Sequence, residues 1–381
     1  MNLALFYTFN IFAASIYVFL ILFLNFYWKK YSNSVFTQNQ IHFPFISIII
    51  VGKDEEKNIN NCINSIVSND YPVEKYEIIF IDDESVDNSI DILKSINAPN
   101  FSWYKISDIA NIQNINNHKK EAIKSALALA KGEIILQTDA DTTVVENWIY
   151  THAVQYMGNK NINLVTAPVL FIKENGILSA FQYYDMITTM GITAAGISSG
   201  LFYMANGANM SYRKKVYFDF KPDSKYASGD DMFLIHNVAS KSKDTIKFLK
   251  DRKALVFTWP EKTLKDFIRQ RLRWATKTKA YKDKNLQIIV AFVFIVNVLV
   301  LLNFILIPFF GIFQFIFSII IFSIKILIDS YFILNISKFF EIKIKWRDLL
   351  LSLLIYPIYL VFIGSISLYT KKYIWKGRIV R

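Results

Sequence analysis

Cysteine is almost absent from this chain: Cys62 is the only one among 381 residues. A single thiol excludes an intramolecular disulfide, so the fold cannot depend on a disulfide framework. Apolar residues at helical spacing surround it, at Ile59, Ile63 and Ile66. We therefore expect Cys62 to be a buried core residue without chemistry of its own.

Several binding and catalytic patterns are also missing. Residues 52–56 follow the first strand candidate where a dinucleotide site would have a glycine-rich loop, which argues against a dehydrogenase. His118, His152 and His236 lack the spacing of metal ligands, and no Ser/His/Asp arrangement is evident. The net charge is +12, but much of the basic excess flanks apolar runs, where it fits anionic lipid head groups. No nucleic-acid partner is expected.

Hydrophobic residues, in contrast, make up 53% of the chain and are concentrated at its two ends. Residues 3–28 carry no charge and are long enough to cross a hydrocarbon core of roughly 30 Å as a helix. Because this run has no basic start and no small-residue cleavage site, it predicts an uncleaved anchor over residues 1–30. Further membrane segments are predicted within residues 285–370, at 286–309, 311–333 and 349–369.

Basic residues beside the apolar runs predict their orientation. Lys29 and Lys30 follow the first run, and further basic clusters flank the others, which places the region between the anchors in the cytoplasm. Three complete crossings after that region would leave the basic tail, residues 371–381, on the opposite side. We therefore expect the last segment, which contains Pro357 and Gly364, to be re-entrant or interfacial.

Lys325 and Asp329 interrupt the middle apolar stretch. They are four residues apart, so they can pair on one face of a helix. A substrate passage is the alternative interpretation of charged residues at such a depth. We favour the structural pair.

Between the anchors, apolar strand candidates alternate with amphipathic helix candidates. This alternation predicts an α/β domain with a mainly parallel sheet covered by helices on both faces. Ligands bind beyond the carboxyl ends of the strands in such sheets. Because strand candidates precede residues 52–56, Asp82-Asp83 and Asp139-Ala140-Asp141, we expect three loops to converge on one crevice. Acidic residues there suit a ribose, a uracil edge or a metal-bound pyrophosphate, the components of a nucleotide sugar.

Asp139 and Asp141 are two residues apart at the end of an extended segment, so their carboxylates can project to the same side. Two hard oxygen ligands suit Mg²⁺ or Mn²⁺ held against a diphosphate. Helix capping is the alternative. A capping box at Thr143–Glu146 already accounts for the next helix, predicted over 144–157, so we favour the metal site.

The other acidic pairs also have structural alternatives. Asp82 and Asp83 fit a polar turn, with Asp87 capping the next helix, as well as they fit ligand binding. Asp230 and Asp231 are predicted to open a helix, where capping is the alternative. Adjacent carboxylates repel, however, and a neighbouring charge or burial can raise one pKa toward a value useful in a general base.

A candidate amphipathic helix lies within residues 261–282. At about 100° per residue, one face is apolar and another gathers Gln270, Arg273 and Trp274. A helix lying on the membrane would present that second face to the active site. The alternative is a basic flank of the next membrane segment, which accounts for Arg271 on the membrane side but not for Gln270 and Trp274.

Together these motifs resemble those of the membrane-bound glycosyltransferases of family 2, which include cellulose and hyaluronan synthases and ceramide glucosyltransferase. The resemblance covers residues 46–280. It rests on Asp82-Asp83-Glu84-Ser85, Lys119–Ala122, Asp139-Ala140-Asp141, Asn206–Asn209, Gly229-Asp230-Asp231 and Gln270–Trp274. The last of these has the family's QxxRW form and is the most specific.

The resemblance implies a GT-A fold and an inverting transfer from a nucleotide-sugar donor. It implies that Asp83 contacts the base, that Asp139 and Asp141 hold the metal and the diphosphate, and that Asp231, beside Asp230, deprotonates the acceptor hydroxyl. The remaining donor-binding residues implied by the resemblance are Glu55, Asp82, Lys119, Gln270, Arg273 and Trp274. Three positions depart from the family pattern: Asp54 replaces an Asn, His118 a Gly and Asp230 a Glu.

We therefore expect an integral membrane protein of the bacterial inner membrane, with a cytoplasmic GT-A domain over residues 46–260. The expected reaction transfers a hexosyl or N-acetylhexosaminyl group to a membrane lipid or lipid-linked glycan. A processive polysaccharide synthase is the alternative, which about four hydrophobic segments make less favourable. A non-catalytic membrane subunit or transporter with a nucleotide-sugar fold is a remote alternative, because every charged cluster is intact.

Overall fold

A computed structural model describes residues 3–31, 43–110, 118–157, 159–219, 229–370, 373–375 and 378–380. The chain divides into two compact units. The helical unit contains Met1–Tyr31, Lys173–Phe202 and Pro260–Lys371, and the α/β unit contains Ser32–Ile172, Tyr203–Trp259 and Lys372–Arg381. The basic tail predicted over 371–381 lies largely outside the described residues.

The strands are β1 (Ile46–Gly52), β2 (Tyr76–Asp82), β3 (Phe101–Lys105), β4 (Ile134–Asp139), β5 (Thr142–Val144), β6 (Leu164–Thr166), β7 (Val169–Phe171), β8 (Met210–Arg213), β9 (Ile246–Phe248), β10 (Val256–Thr258), β11 (Tyr373–Trp375) and β12 (Arg378–Val380).

The α-helices are α1 (Leu3–Lys30), α2 (Ile59–Val67), α3 (Ser89–Ser95), α4 (Ile106–Ile109), α5 (His118–Leu129), α6 (Trp148–Tyr156), α7 (Ile177–Ser199), α8 (Lys214–Phe218), α9 (Asp230–Lys241), α10 (Leu264–Ala275), α11 (Lys284–Ile305), α12 (Ile307–Phe339) and α13 (Trp346–Tyr369).

A seven-stranded sheet forms the centre of the α/β unit, in the order β3-β2-β1-β4-β8-β6-β9. β1 pairs in parallel with β2 and β4, whereas β8 is antiparallel to β4 and β6. Ile48, Ile49 and Ile50 of β1 are fully buried, as expected for a strand covered on both faces. The mainly parallel α/β sheet confirms the predicted fold class.

A second sheet, with the order β5-β10-β7, corrects one predicted element. The helix predicted over 144–157 is confirmed from Trp148 to Tyr156, but its start and its capping box at Thr143–Glu146 are wrong, because Thr142–Val144 pairs with β10. α6 begins only at Trp148, with Asn147 as its N-cap residue. β10 lies far along the chain, so no local pattern could reveal this pairing.

Four helices of the helical unit, α1, α11, α12 and α13, are long and apolar enough to cross a membrane. α7 packs against α1, α12 and α13. The packing is close, since a Cβ atom at Gly191 would overlap the side chain of Ile336. Residues 173–202 therefore group with the apolar helices, whereas the sequence had placed them inside one continuous domain.

The last apolar segment forms α13, which continues for 24 residues with Pro357 inside it. A helix of this length can span a bilayer. A re-entrant segment would require a break, and α13 has none. The break instead occurs in α12, where Gly311 has a φ of 64°, a conformation that glycine adopts without steric cost.

Candidate active site

The start of α5 brings together three acidic residues of the α/β unit. Three consecutive side chains each contact one acid: His118 Nδ1 lies 2.9 Å from Asp83 Oδ1, Lys119 Nζ lies 2.7 Å from Asp139 Oδ1, and Lys120 Nζ lies 3.4 Å from Asp230 Oδ1. Asp83 and Asp139 belong to two of the three loops predicted to converge, and the third loop, at 52–56, begins beside them because Gly52 pairs with Asp82 and Val51 with Asp139. Asp230 was not part of that prediction, and Lys120 was not recognised in the sequence, because only the fold places Asp230 opposite it.

The two acids at the end of β2 have different surroundings. Asp82 is fully buried, its Oδ2 accepts a hydrogen bond from Ser85 N at 3.1 Å, and burial raises the pKa of its carboxyl group. Asp83 N donates to Gly52 O at 2.8 Å, and its carboxylate faces His118. Asp82 therefore holds the turn after β2, and its role in donor binding stays a prediction.

The loop after β1 is fastened to the loop after β2. Asp54, with a φ of 54°, accepts a hydrogen bond from Val86 N at 2.8 Å through its Oδ1 atom. Glu55 N donates to Ser89 Oγ at 2.9 Å, and Glu55 Oε2 accepts from Asn58 Nδ2 at 2.7 Å. Glu55 thus lies at the start of α2, where its predicted donor contact stays a prediction.

Asp139 ends β4, and Asp141 precedes β5. Thr142 Oγ1 donates to Asp139 O at 2.8 Å, and Thr258 Oγ1 lies 3.3 Å from Asp141 Oδ2. The threonine at the end of β10 thereby helps to hold the second carboxylate. The small sheet that the sequence did not predict is therefore part of what positions this loop.

The donor atoms present fit a divalent cation that is bound in large part by its substrate. Asp139 and Asp141 supply hard carboxylate oxygens. Across the described residues, no group of three or more His, Cys, Asp or Glu could hold a metal ion by itself. Mg²⁺ is commonly bound by one or two carboxylates together with substrate phosphates. Lys119 adds positive charge at the same place.

Asp230 and Asp231 open α9, as predicted, directly after Gly229 with a φ of 95°. Asp230 is buried, and burial raises the pKa of its carboxyl group to about 6; the charge of Lys120 opposes this rise and that of Asp231 adds to it. Asp231 is half-buried, and its Oδ2 accepts a hydrogen bond from Gly207 N at 2.9 Å. The pair therefore combines a buried acid of raised pKa with a carboxylate held by a backbone amide.

The turn at residues 206–209 holds the carboxylate of Asp231 through the amide of Gly207. Asn209, at the end of this turn, is fully buried and donates through Nδ2 to Pro168 O and Ala254 O, both at 2.7 Å. Its Oδ1 accepts from Trp148 Nε1 at 2.9 Å. Asn209 thus fixes the turn that carries Gly207, a supporting role that sequence reasoning did not identify.

The QxxRW residues lie on α10 in the helical unit. Gln270 Nε2 donates to Glu261 Oε1 at 2.9 Å. Arg271 is only 4% exposed; its Nη2 lies 3.1 Å from Asp185 Oδ2, and its guanidinium carbon lies 4.4 Å from the ring centroid of Trp274. The expectation that Arg271 is a membrane-side basic flank is wrong, because Asp185 on α7 supplies a buried partner that a helical projection cannot show.

Glu261 precedes α10 and was not identified from the sequence. Burial raises the pKa of its carboxyl group, Asp266 adds to this rise, and Arg273 and Arg271 oppose it. Glu261 thus lies within the electrostatic reach of Arg273. The presentation of Gln270, Arg273 and Trp274 to the active site stays a prediction.

Three polar groups have surroundings that give them no role in the acidic cluster at the start of α5. Cys62 is fully buried, and burial raises the pKa of its thiol to about 12, which confirms a core residue. His152 lies between Ser211 and Asn209, and burial lowers its pKa to about 4. Lys325 Nζ lies 2.6 Å from Asp329 Oδ2, which confirms the predicted pair.

Two family models match this α/β unit and its apolar helices. The model described as Glycosyl transferase family 2 matches residues 47–216, and the one described as Glycosyl transferase family group 2 matches residues 134–367. The second match covers more than half of the chain. The chain belongs to glycosyl transferase family 2, a family of sugar-transferring enzymes, and the predicted resemblance is confirmed.

Among curated relatives, glycosyltransferase AglE from Haloferax volcanii is 27% identical over 179 residues, which are 47% of this chain and 56% of AglE. Beta-monoglucosyldiacylglycerol synthase from Nostoc sp. is 29% identical over 134 residues, which are 35% of this chain and 28% of that protein. The chain thus spans little more than half the length of the first relative and about a quarter of the second.

Among solved structures, mannosyltransferase PcManGT from Pyrobaculum calidifontis, in complex with GDP-Man and Mn²⁺, superposes with a TM-score of 0.58. Its sequence is 14% identical, and the match covers 97% of this chain and 98% of that chain. At this identity the likeness shows the fold alone. It confirms the GT-A architecture, with apolar helices that could span a membrane.

Proposed function

We propose that this chain is an inverting glycosyltransferase that moves a hexosyl or N-acetylhexosaminyl group from a nucleotide-sugar donor to a membrane lipid or lipid-linked glycan. The observation that carries the proposal is the meeting of Asp83, Asp139 and Asp230 at the start of α5. In a family 2 chain, these acids come from the loops that would bind the base, the diphosphate and the acceptor.

The donor end of the site follows from the two strand-end loops. Asp83 binds the base, with Glu55 and Asp82 in the same loops, and Lys119 lies beside Asp139 near the diphosphate. Asp139 and Asp141 would hold a divalent metal, Mg²⁺ or Mn²⁺, which would supply charge to neutralise the departing diphosphate. The similar fold of PcManGT, solved with GDP-Man and Mn²⁺, supports this assignment.

The acceptor end of the site is built on the first turn of α9. Asp231 takes the proton of the attacking hydroxyl as a general base. The amide of Gly207 holds one of its oxygens at 2.9 Å, which orients the carboxylate before the acceptor arrives. Asp230 and Lys120 form a buried pair beneath it, and their charges set the electrostatic surroundings of the base.

In the helical unit, Gln270, Arg273 and Trp274 of α10 are the residues that the family motif assigns to the diphosphate and the acceptor. The guanidinium of Arg273 suits a diphosphate because its planar fork can donate two parallel hydrogen bonds. A planar Trp ring suits the apolar face of a sugar. Arg273 would contribute charge stabilisation, and Trp274 would contribute acceptor binding.

Partition of a labelled product tests the proposal. Membranes that contain the chain are incubated with radiolabelled nucleotide sugars, and the product is divided between organic and aqueous phases. We expect label in the organic phase, and membranes with equal amounts of Asp231→Asn as the control should lack it. Label in a high-mass aqueous product would show a processive polysaccharide synthase instead. No transfer from any nucleotide-sugar donor would contradict an enzymatic role.

A further inference from the structure

A cavity lies inside the helical unit, bounded by side chains of α1, α7, α11, α12 and α13. Its empty volume is about 720 Å³, part of it open to the surroundings. Most of its walls are apolar, including Leu20, Ile192, Val293 and Phe332. A predominantly apolar cavity with few polar groups is the usual form of a small-molecule site.

Two carboxylates line this cavity, and the cations that pair with them do not. Asp329 is held from both sides: its Oδ2 accepts from Lys325 Nζ at 2.6 Å and its Oδ1 accepts from Tyr17 Oη at 2.7 Å. The ammonium group of Lys325 lies 5.3 Å from the ring centroid of Tyr17 and 5.2 Å from that of Tyr356. The two rings lie around the ammonium group. The polar atoms that face the cavity at this point are therefore those of the carboxylate and the phenols, and not the cation.

The second carboxylate is Asp185, which pairs with the buried guanidinium of Arg271 at 3.1 Å. Arg271 does not line the cavity, whereas Asp185 does. The pair also joins the cavity to α10, the helix that carries Gln270, Arg273 and Trp274. An occupant of the cavity would therefore be held next to the helix that we assign to sugar transfer.

These charges discriminate between classes of lipid. Carboxylate oxygens accept hydrogen bonds, so they favour a hydroxyl or an amide N–H on the occupant. Each carboxylate is paired with a cation but presents the negative end of its ion pair to the cavity, so an anionic phosphate would meet an unfavourable field there, which the low dielectric constant strengthens. The apolar walls suit the hydrocarbon part of the same molecule.

We propose that this cavity is the holding site of the acceptor and that it takes an uncharged lipid with a hydrogen-bond-donating head group, in preference to a lipid phosphate. The hydrocarbon contacts the walls, and the head group donates to Asp185. This proposal rests on the proposed transfer to a lipid. It adds the class of lipid, which family membership does not decide.

Photolabelling without a sugar donor tests this proposal separately from transfer. The full chain in nanodiscs is exposed to diazirine-bearing diacylglycerol or to phosphatidic acid with the same acyl chains, and labelled peptides are mapped by mass spectrometry. We expect diacylglycerol to label α1, α7 and α12 at least tenfold more than phosphatidic acid does. Equal labelling, or stronger labelling by phosphatidic acid, would overturn the proposal.

Two variants test separately the charge of the cavity wall and the volume of the cavity. Asp185→Asn leaves the guanidinium of Arg271 without its counter-ion, so the preference should shift toward phosphatidic acid by about tenfold or more. Ile192→Trp fills the cavity without touching either carboxylate, and it should abolish labelling by both lipids. Ile288→Trp on α11 is the matched control, because Ile288 is 66% exposed and does not line the cavity. Persistent labelling in Ile192→Trp would place the lipid elsewhere and refute the cavity as its site.

The two proposals can fail independently. Selective labelling by diacylglycerol together with no sugar transfer would support the cavity and remove the proposed function. Transfer to a lipid together with unselective labelling would support the proposed function and remove the cavity as the origin of lipid selectivity.

Discussion

His118, Lys119 and Lys120 are neighbours in the sequence, yet each contacts an acid from a different part of the chain. The ammonium group of Lys120 opposes the rise in the pKa of Asp230, which burial brings to about 6. Asp230 is therefore protonated below about pH 6 and charged above it. The charge state of Asp230 thus depends in part on Lys120 of α5.

Removal of Lys120 should shift the acidic side of the pH profile of the transfer rate. Without the cation, the pKa of Asp230 rises further, so Lys120→Gln should shift the loss of activity on acidification to a higher pH. A pH profile of the transfer rate at saturating donor measures this shift. Lys124→Gln on the exposed side of α5, where Lys124 pairs with Glu121 at 3.3 Å, is the control and should leave the profile unchanged. Identical profiles for all three proteins would disprove the coupling.

Substitution of Asp231 tests the general base. Asp231→Asn keeps the hydrogen bond from Gly207 but removes the proton acceptor, so turnover should fall by about 10²-fold or more. Binding of the nucleotide sugar should stay near that of the unsubstituted chain, as isothermal titration can show. A collapse of donor affinity with normal turnover at saturation would mean that Asp231 binds the donor or caps α9 instead.

Removal of divalent metal tests Asp139 and Asp141. Transfer should cease in a chelator and return with Mn²⁺ or Mg²⁺, because Lys119 alone would neutralise the diphosphate less completely and the two carboxylates would repel it. Asp141→Ala should also weaken binding of the nucleotide diphosphate, measured without turnover. Full activity in the chelator would leave Lys119 as the main cation of the site.

At the scale of elements, α10 differs most from its projected form. The apolar face predicted for it is divided: Phe267 is buried within the helical unit, whereas Leu264 is 62% exposed, as expected of a side chain that faces a membrane. Arg271 takes a buried place instead, stacked on Trp274 and paired with Asp185 of α7. Helix position in this unit is thus set by an ion pair as well as by apolar contact.

Replacement of two arginines of α10 by lysine tests whether Arg271 acts as the buried partner of Asp185 or as a basic residue beside a membrane segment. Arg271→Lys keeps the charge but loses the planar group that stacks on Trp274, so transfer should fall by about tenfold or more. Arg269→Lys is the matched control, because Arg269 is exposed and pairs with Asp266, whose side chain is half-exposed, at 3.5 Å. Transfer rates are compared at equal membrane levels. Equal transfer rates for the two variants would mean that Arg271 serves only as a basic residue that orients the next membrane segment.

At the scale of the whole molecule, the sidedness of the membrane arrangement can be tested with thiols, because Cys62 is the only cysteine and is fully buried. In spheroplasts, an impermeant maleimide should label Phe309→Cys in the first turn of α12. It should label Lys131→Cys of the α/β unit only after the membrane is permeabilised. Phe309 is 75% exposed and the Lys131 side chain is 78% exposed, so both sites suit the reagent. The reverse pattern would place the α/β unit outside the cytoplasm.

The sequence by itself determined the alternation of strands and helices, the four apolar helices and the acidic clusters. Local periodicity and composition are sufficient to predict these features, as the apolar run of β1 and the uncharged run of α1 show. Their prediction does not require the positions of distant residues. Motif spacing added the resemblance to family 2, which the family matches confirm.

Only the tertiary structure decided which of these residues are partners. β5 forms because β10 lies beside it, Arg271 is buried because α7 places Asp185 next to it, and Asp230 has a raised pKa because the fold removes it from water. Each of these outcomes depends on contacts between residues far apart in the chain. Local pattern carries no information about such contacts, since burial and pairing are properties of the packed chain rather than of the segment.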